Sequence, residues 1–450
     1  MLDSEKILAW VLDLPEDNSC PPLQPSTLTS AQSRKRKPAT QHDHLTSPPA
    51  SFSNMDSTPT RKRQKGPDLP PSLDEMDITP RPHTGRTRSI ASISTSASRS
   101  SRSRSESPKK QMMSLRLNDK SLEFRQLDHT APDAAVDLLS VLEEVGRGHD
   151  ILPDEWRDRI LQGRQMTEKE ARSWRYSFKS SDTPDQLPGR IPQYSEVELV
   201  GEMAKECLNF GHDESGWNGE VHHRLLEAVF RDPGKRNGGI LNFALCTTAR
   251  PHRQYLPQFT SAKMVDLCIY ADLSDDENWK EGLKALSWQT HTQSVNHTDF
   301  TPLQLRPIML SIETKKPGIE LDKAQLQMGV WHAAQWSFLR SAVSLALQSE
   351  PPSTESTPDS SSSDQTEHAT QVNAILSRLG FIPGIIIQGH RWVFVLSTLE
   401  GQKTILWRER QFGSTQSILE TYQIVAGLRE LGAWTRDVYL PWFQKHVLTG

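Results

Sequence analysis

The chain has 450 residues, of which 35% are hydrophobic and 30 are prolines, and its formal net charge is −4 at pH 7. This composition indicates one folded domain with polar tails, because too few apolar residues are present to pack the whole length. The four cysteines form no C-x-x-C pair, no apolar run approaches the ~18 residues of a membrane span, and the first residues lack a signal-peptide pattern. We therefore expect no disulfide framework, structural zinc site or membrane span, and we expect a protein that is not secreted.

Residues 1–115 are expected to form a disordered basic tail rich in serine and proline, with a short amphipathic helix near its start that is marginal in isolation. The tail contains two compact basic clusters, one from Arg34 to Lys37 and one from Arg61 to Lys65. Such clusters are typical of nuclear import signals and of loose contacts with phosphates, and they also occur in tails that only promote solubility. They predict a nuclear import receptor as a partner and the nucleus as the location, with the cytoplasm as the alternative.

Residues 116–180 are expected to form a small helical segment. Ala134, Leu138, Leu142 and Val145 recur at helical spacing, and proline and glycine then break the pattern before the next element. This segment either packs onto the domain that follows it or presents a pair of helices to a partner.

The main domain is expected over residues 194–450, and its first elements are a helix and a strand. The helix covers residues 217–230 and has Glu220 near its start, off the apolar stripe. The strand covers residues 262–270, and Asp266 lies on the face opposite its apolar row. Both acidic side chains are therefore free to face a common site.

A second strand of this domain is predicted over residues 308–315. Its apolar residues alternate with a row that ends in Glu313 and Lys315, so these two side chains point the same way. A carboxylate in this place can hold a divalent cation while the ammonium steadies a water or a phosphate oxygen, which is the chemistry of metal-assisted phosphodiester hydrolysis. The spacing alone is weak evidence, because exposed strands often carry E-x-K as a solvated ion pair.

The rest of the domain alternates helices and strands. A helix over residues 324–336 carries Gln327 in its first turns, from which the side chain can reach toward the strand ends. Two polar stretches, residues 275–300 and 349–370, are expected to protrude as loops. Further strands are predicted over residues 381–389 and 392–396 and further helices over residues 418–431 and 438–447, which makes the fold class α/β with a mixed sheet.

Other chemistries have less support. The sequence contains no G-x-x-x-x-G-K-[ST] loop, no G-x-S-x-G elbow and no H-E-x-x-H pair. His222 and His223 are adjacent in a predicted helix, so their rings point about 100° apart and are expected to be surface or capping residues. The folded half of the chain is not globally basic, which argues against tight DNA binding by the domain alone, whereas the tail can supply a positive arm.

Taken in order, the chain presents a helical glutamate, a strand aspartate, a strand E-x-K and a helical glutamine. This order resembles that of the PD-(D/E)XK nuclease superfamily, and more specifically that of the fungal proteins described as PD-(D/E)XK nuclease-like domain-containing proteins. The resemblance covers residues 194–450 and depends on the segments EVH, MVD, IETKKP, QLQMGVW and FIPG. It implies a restriction-endonuclease-like core in which helices flank a central mixed sheet.

The resemblance also implies roles for individual residues. Asp266 and Glu313 would bind Mg²⁺, or Mn²⁺ in its place, Lys315 would be the catalytic lysine, and Glu220 and Gln327 would be auxiliary groups, with Glu220 completing the metal sphere. The implied activity is hydrolysis of DNA phosphodiester bonds by an endonuclease or exonuclease, and the implied partner is nucleic acid. The alternative is a non-catalytic nuclear nucleic-acid-binding or scaffold protein that retains the fold, in which the aspartate, the glutamate and the lysine need not meet.

Overall fold

The α/β fold expected from the sequence is confirmed. The computed structural model describes residues 107–118, 121–127, 130–161, 167–179, 185–258, 260–318, 320–349 and 361–448. The predicted N-terminal helix, both basic clusters and nearly all of the predicted tail lie outside these described residues. Within them, no helix combines the length and the apolar composition needed to cross a membrane.

A mixed seven-stranded sheet forms the centre of the described structure. In chain order the strands are β1 (Leu122–Gln126), β2 (Leu152–Pro153), β3 (Phe178–Lys179), β4 (Leu241–Leu245), β5 (Leu267–Ala271), β6 (Ile308–Lys315), β7 (Ile382–Gln388), β8 (Arg391–Glu400) and β9 (Lys403–Ser414). The sheet has the order β1-β9-β8-β7-β6-β5-β4, while β2 and β3 pair separately. The β1–β9 and β6–β7 pairs are parallel, and the other pairs of the large sheet are antiparallel.

Helices cover both faces of this sheet. They are α1 (Pro108–Arg116), α2 (Val136–Arg147), α3 (Arg157–Leu161), α4 (Glu168–Ser173), α5 (Tyr194–Asn209), α6 (Glu214–Trp217), α7 (His223–Phe230), α8 (Glu277–Gln289), α9 (Leu321–Ser349), α10 (Ser361–Leu379), α11 (Ile418–Trp434) and α12 (Leu440–Val447). The first half of α9 packs with Ile386 on one face of the sheet, and α11 packs with Ile385 and Ile387 on the other. This alternation along β7 is what a strand buried on both faces requires.

Strand β6 lies in the middle of the sheet, between β5 and β7, and all of its residues are buried. Leu310 and Ile312 join the apolar cluster on the α11 side. Ser311 lies on the opposite face, where its hydroxyl accepts a 2.8 Å hydrogen bond from the indole of Trp331 in α9. Because side chains alternate along a strand, those of Glu313 and Lys315 lie on the same face as Ser311, which is the face covered by α9.

The described residues include the end of the segment that we expected to be a tail. Residues at the end of the predicted tail form α1, which follows the N-cap residue Ser107 and buries Leu115 against the sheet. The next residues, which we expected to open a separate helical segment, form β1 and pair with β9. Leu115 and Leu122 are buried in the apolar cluster on the α9 side, and Met112 and Phe124 pack against it. These pairs have helical and strand spacing, but each pattern is only two residues long and lies among polar residues.

The stretch at residues 275–300 does not protrude as a loop. It forms α8, whose N-cap residue Asp276 accepts hydrogen bonds from the backbone of Asn278 and Trp279 at 3.0 and 3.2 Å. The polar residues that follow turn inward, and the Asn296 amide donates to the backbone carbonyl of Leu303 at 2.7 Å. Polar side chains here satisfy buried backbone groups, so their polarity does not indicate exposure. Likewise, residues 361–370 of the other predicted loop belong to α10.

The outer strand β4 carries an arginine against its backbone. The Arg231 guanidinium donates to the carbonyl of Phe243 at 3.1 Å and to the side chain of Asn242 at 3.0 Å. It also lies over the Phe243 ring at 4.0 Å from the centroid. These contacts hold the guanidinium in place along the strand.

Candidate active site

The predicted E-x-K pair lies at the carboxyl end of β6, on the face covered by α9. Lys315 is 3% exposed, and its Nζ atom lies 2.6 Å from Oε1 of Glu313. The same ammonium donates to the backbone carbonyl of Thr314 at 2.6 Å. The neighbouring Lys316 is exposed. The strand therefore turns Lys315 inward and Lys316 outward, as alternation predicts.

Glu313 is completely buried. Its Oε2 atom has no hydrogen-bond partner among the described residues. Burial raises the pKa of Glu313 well above its usual value, and the nearby carboxylate of Asp266 adds to this effect, while the ammonium of Lys315 opposes it. An unpaired buried carboxylate oxygen is costly, and it marks a place where a cation or a donor would be stabilising.

Asp266 is the residue immediately before β5, and its backbone N–H donates to the carbonyl of Ile312 at 3.1 Å. Its Oδ2 atom accepts hydrogen bonds from both the backbone N–H and the hydroxyl of Thr314, at 2.8 and 2.9 Å. These contacts fix the carboxylate beside the end of β6. They use one oxygen, so Oδ1 of this partly exposed side chain is left for another partner. The structure thus brings Asp266, Glu313 and Lys315 together.

A glutamate that was not predicted from the sequence contacts Lys315 and completes the group formed by Asp266, Glu313 and Lys315. Glu214 lies in the first turn of α6, and its two carboxylate oxygens are 3.1 and 3.3 Å from Nζ of Lys315. Burial raises the pKa of Glu214, the ammonium of Lys315 opposes this effect, and Asp266 adds to it. The sequence carries a signal for this position, because Asp213 is an N-cap residue whose carboxylate accepts from the backbone N–H of Gly216 at 2.9 Å.

Glu220, for which we expected this place, lies elsewhere. Its carboxylate pairs with Arg224 one helical turn away, at 2.7 Å, and about half of each side chain is exposed. The predicted helix begins at residue 217, whereas helical structure begins at Glu214. Because the predicted helix starts three residues late, the prediction placed Glu220 in the first turn, where the structure has Glu214.

Gln327 lies near the site but does not touch the E-x-K pair. Its Nε2 atom donates to the backbone carbonyl of Met264, at 3.2 Å, in the segment that leads to Asp266. Its Oε1 atom is buried without a partner among the described residues. The hydrogen bond of Gln327 therefore stabilises the segment that precedes β5.

The adjacent histidines also differ from the expectation of surface or capping residues. His222 is completely buried, and burial lowers its pKa to about 4. His223 packs partly buried against Phe243, with the ring centroids 4.9 Å apart. The two rings do not share a site, which agrees with their angular separation on a helix.

The residues at the end of β6 fit a divalent cation by donor chemistry. Asp266, Glu313 and Glu214 offer carboxylate oxygens, which are the ligands that Mg²⁺ prefers, and one oxygen of Glu313 is unpaired. The arrangement is not a preformed cluster: in the described part of the chain, no group of three or more His, Cys, Asp or Glu side chains stands in metal-holding geometry. The ammonium of Lys315 is the positive charge that the carboxylates of Glu313 and Glu214 contact.

A comparison with known protein families gave a match. A family model described as the PD-(D/E)XK nuclease superfamily matches residues 162–440, which is more than half of the chain and includes every residue of the site. No curated protein and no solved structure matches the chain. The order of the site residues along the chain, the mixed sheet and the family match lead to one conclusion. The chain belongs to the PD-(D/E)XK nuclease superfamily.

Proposed function

We propose that the protein is a metal-dependent nuclease that hydrolyses DNA phosphodiester bonds, as an endonuclease or an exonuclease. The observation that carries this proposal is the convergence of Asp266, Glu313 and Lys315 at the carboxyl end of β6. Asp266 and Glu313 would hold Mg²⁺ or Mn²⁺, and Glu214 takes the auxiliary role first given to Glu220. A bound metal ion of this kind supplies a Lewis acid for the phosphoryl oxygen and acidifies a bound water.

The chain's own residues account for positioning and charge stabilisation. Thr314 fixes Asp266 through two hydrogen bonds, so the carboxylate is oriented before substrate arrives. The ammonium of Lys315 can leave the carboxylates for a phosphate oxygen and stabilise the negative charge that grows there. Gln327 holds the segment that leads to Asp266 through the carbonyl of Met264.

The rim of the site favours a polyanionic substrate. Lys316 and Lys323 are exposed near the start of α6. The pKa of Asp213 is lowered by the backbone N–H of Gly216 and, to a smaller extent, by the charge of Lys316. Lys323 is close enough to Glu214 to counter part of the increase in pKa that burial causes. Lysines beside a groove neutralise the phosphate backbone even when the net charge of the protein is negative, because local charge decides contact. The basic tail would add further phosphate contacts.

A second candidate function is a nucleic-acid-binding or scaffold protein that no longer cleaves. It is favoured by the absence of a preformed metal cluster in the described residues, where Lys315 already satisfies part of the carboxylate charge. Only a cleavage measurement separates it from the nuclease.

Cleavage by the purified full-length protein tests the proposed function. Supercoiled, linear and single-stranded DNA and a matched RNA would be incubated with Mg²⁺, with Mn²⁺ and with a chelator. We expect DNA cleavage with either metal and none with the chelator. Binding of DNA without cleavage under all conditions would instead support the second candidate.

Glu214→Gln and Glu220→Gln form a matched pair, because both replace a glutamate of the same helical stretch with its amide. Glu214→Gln should reduce the cleavage rate by about 10- to 100-fold, the usual effect of losing a group that supports a metal site. Glu220→Gln removes only a solvent-exposed pair with Arg224 and should leave the rate unchanged. Equal effects in single-turnover cleavage would contradict the place we give to Glu214.

We also propose that the protein enters the nucleus through its basic clusters. Neutralising the residues from Arg34 to Lys37 and from Arg61 to Lys65 should move a fluorescent fusion from the nucleus to the cytoplasm, since an import receptor recognises the clustered charge. Neutralising the eight lysines and arginines of residues 81–110, which are scattered and not clustered, is the control. A nuclear fusion after neutralisation of both clusters would rule out this role.

A further inference from the structure

A closed circuit of hydrogen bonds connects the two halves of the site. The carbonyl of Lys315 accepts from the backbone N–H of Gly389 at 2.9 Å, and the carbonyl of Gly389 accepts from Nε2 of His222 at 3.2 Å. Nδ1 of His222 lies 3.0 Å from the side chain of Asn218, whose backbone N–H donates to the carbonyl of Glu214. The carboxylate of Glu214 accepts hydrogen bonds from Nζ of Lys315, which closes the circuit.

The protonation of His222 follows from its surroundings. The ring is completely buried between Trp217 and Trp392, with centroid separations of 6.0 and 5.8 Å, and burial keeps it neutral by lowering its pKa to about 4. A neutral ring donates from one nitrogen only, and a carbonyl only accepts, so the proton is on Nε2. The atom of Asn218 that lies 3.0 Å from Nδ1 is Oδ1, and two acceptors cannot pair. We therefore assign the Asn218 amide turned by 180° about its last bond, so that its nitrogen donates to Nδ1, because the two orientations have nearly the same shape.

The turn between β7 and β8, which contains Gly389, has little conformational freedom. Gly389 adopts a left-handed conformation, with φ of 54°, and a Cβ atom there would lie 2.4 Å from Cγ of Pro317. Only glycine fits this contact without strain. The carbonyl that accepts from His222 is therefore held at a fixed place beside the end of β6.

The helix side is also constrained. Asn218 and His222 lie in a π-helical turn between α6 and α7, a local widening that often occurs at functional sites. A phenylalanine would fill the same aromatic pocket without the cost of burying polar atoms. The two hydrogen bonds of the imidazole are what distinguishes histidine here. They connect the helix that carries Glu214 to the turn between β7 and β8, where Gly389 bonds to the backbone of Lys315.

We propose that His222 is a positioning residue that holds Glu214 against Lys315. The circuit itself stands on contacts in the chain, whereas its effect on cleavage rests on the proposed nuclease function. His222 would act through Glu214 and would not touch substrate.

The 15N signal of the Lys315 ammonium reports the Glu214 contact directly and needs no activity. In lysine-labelled full-length protein, the signal would be assigned by its loss in Lys315→Arg. Glu214→Gln should shift it, and His222→Phe should shift it in the same direction. The double variant should show no larger shift than Glu214→Gln alone, because both substitutions remove one interaction. His223→Phe, a change to the adjacent ring outside the circuit, should leave the signal unchanged.

Two further variants separate positioning from packing. His222→Gln keeps an N–H donor and should retain most of the wild-type signal, while Asn218→Ala keeps the ring but removes its second bond and should give a smaller shift of the same sign. A His222→Phe variant that melts earlier but keeps the wild-type Lys315 signal would overturn the proposal, as would an unchanged signal in folded Asn218→Ala. If the signals move as expected and the wild type cleaves no DNA, the positioning role stands and the nuclease function fails.

Discussion

Replacing Lys315 with methionine is expected to lower the single-turnover rate of DNA cleavage by about 10²- to 10³-fold at saturating Mg²⁺, the usual effect of losing one preorganised electrostatic donor. Its ammonium contacts Glu313 and Glu214 and is 3% exposed, so no solvent cation replaces it in the same geometry. The affinity for Mn²⁺, measured by calorimetry, should hold or rise, because a competing positive charge leaves the carboxylates. The free energy of unfolding should fall by about 3–5 kcal/mol, since a buried ion pair is broken.

Lys316→Met is the matched control for this prediction. Lys316 follows Lys315 directly, but its side chain is exposed, and alternation along the chain turns it away from Glu313. We expect a small loss of rate that disappears at high substrate concentration, because an exposed lysine contributes to phosphate binding and not to the chemical step. If Lys316→Met were inactive and Lys315→Met fully active, our assignment of the catalytic role to Lys315 would be wrong.

Replacing Glu313 with glutamine should abolish metal-dependent cleavage, with a loss of about 10³-fold or more, because a metal ion contributes several kcal/mol to the transition state of such a reaction. Binding of Mn²⁺ should be lost in parallel in calorimetry. Stability should change little, because the substitution breaks the contact with Lys315 but also removes the repulsion between Glu313 and the carboxylates of Asp266 and Glu214.

Asp272→Asn is the matched control for the metal prediction. Asp272 follows β5 and pairs with Arg306 at 3.2 Å, outside the E-x-K group. It should bind Mn²⁺ and cleave DNA as the wild type does. If Glu313→Gln cleaved DNA at the wild-type rate, the Glu313 carboxylate would have no part in the mechanism, and the assignment of the active site would be wrong.

The arrangement of β6 could be predicted from the sequence because it depends on strand alternation alone. The two lysines after Glu313 differ by one position, and a strand sends such neighbours to opposite sides. Asp266 could be predicted because it stands directly before the apolar residues of β5, although the strand begins at Leu267 and not at the predicted residue 262. Its place does not need the proline that names the superfamily, because buried Val265 stands there and the backbone of Asp266 is fixed by the carbonyl of Ile312.

Glu214 escaped prediction because its helix is short and polar at the start. Asp213, Glu214 and Ser215 favour a turn as much as a helix, and no apolar stripe distinguishes the two before Trp217. Only the packing of α6 beside β6 makes the glutamate a partner of Lys315. Contacts between residues so distant in sequence are not visible in local patterns.

Strand β9 escaped prediction for a related reason, since charged residues interrupt its apolar pattern. Arg408 donates to Gln325 of α9 at 2.9 Å, and Arg410 pairs with Glu143 of α2 at 3.0 Å. The strand carries charges because both neighbouring helices supply polar partners. Charge within a strand indicates exposure only when such partners are absent.

The arginine that lies along β4 has a consequence for self-association. A sheet that ends in an unpaired strand offers its free carbonyls and N–H groups to a strand of another molecule, which is a common route to aggregation. Arg231 occupies the carbonyl of Phe243 and places a charge on this margin of the sheet. An incoming strand would have to displace the guanidinium and bury its charge, so strand addition at β4 is disfavoured.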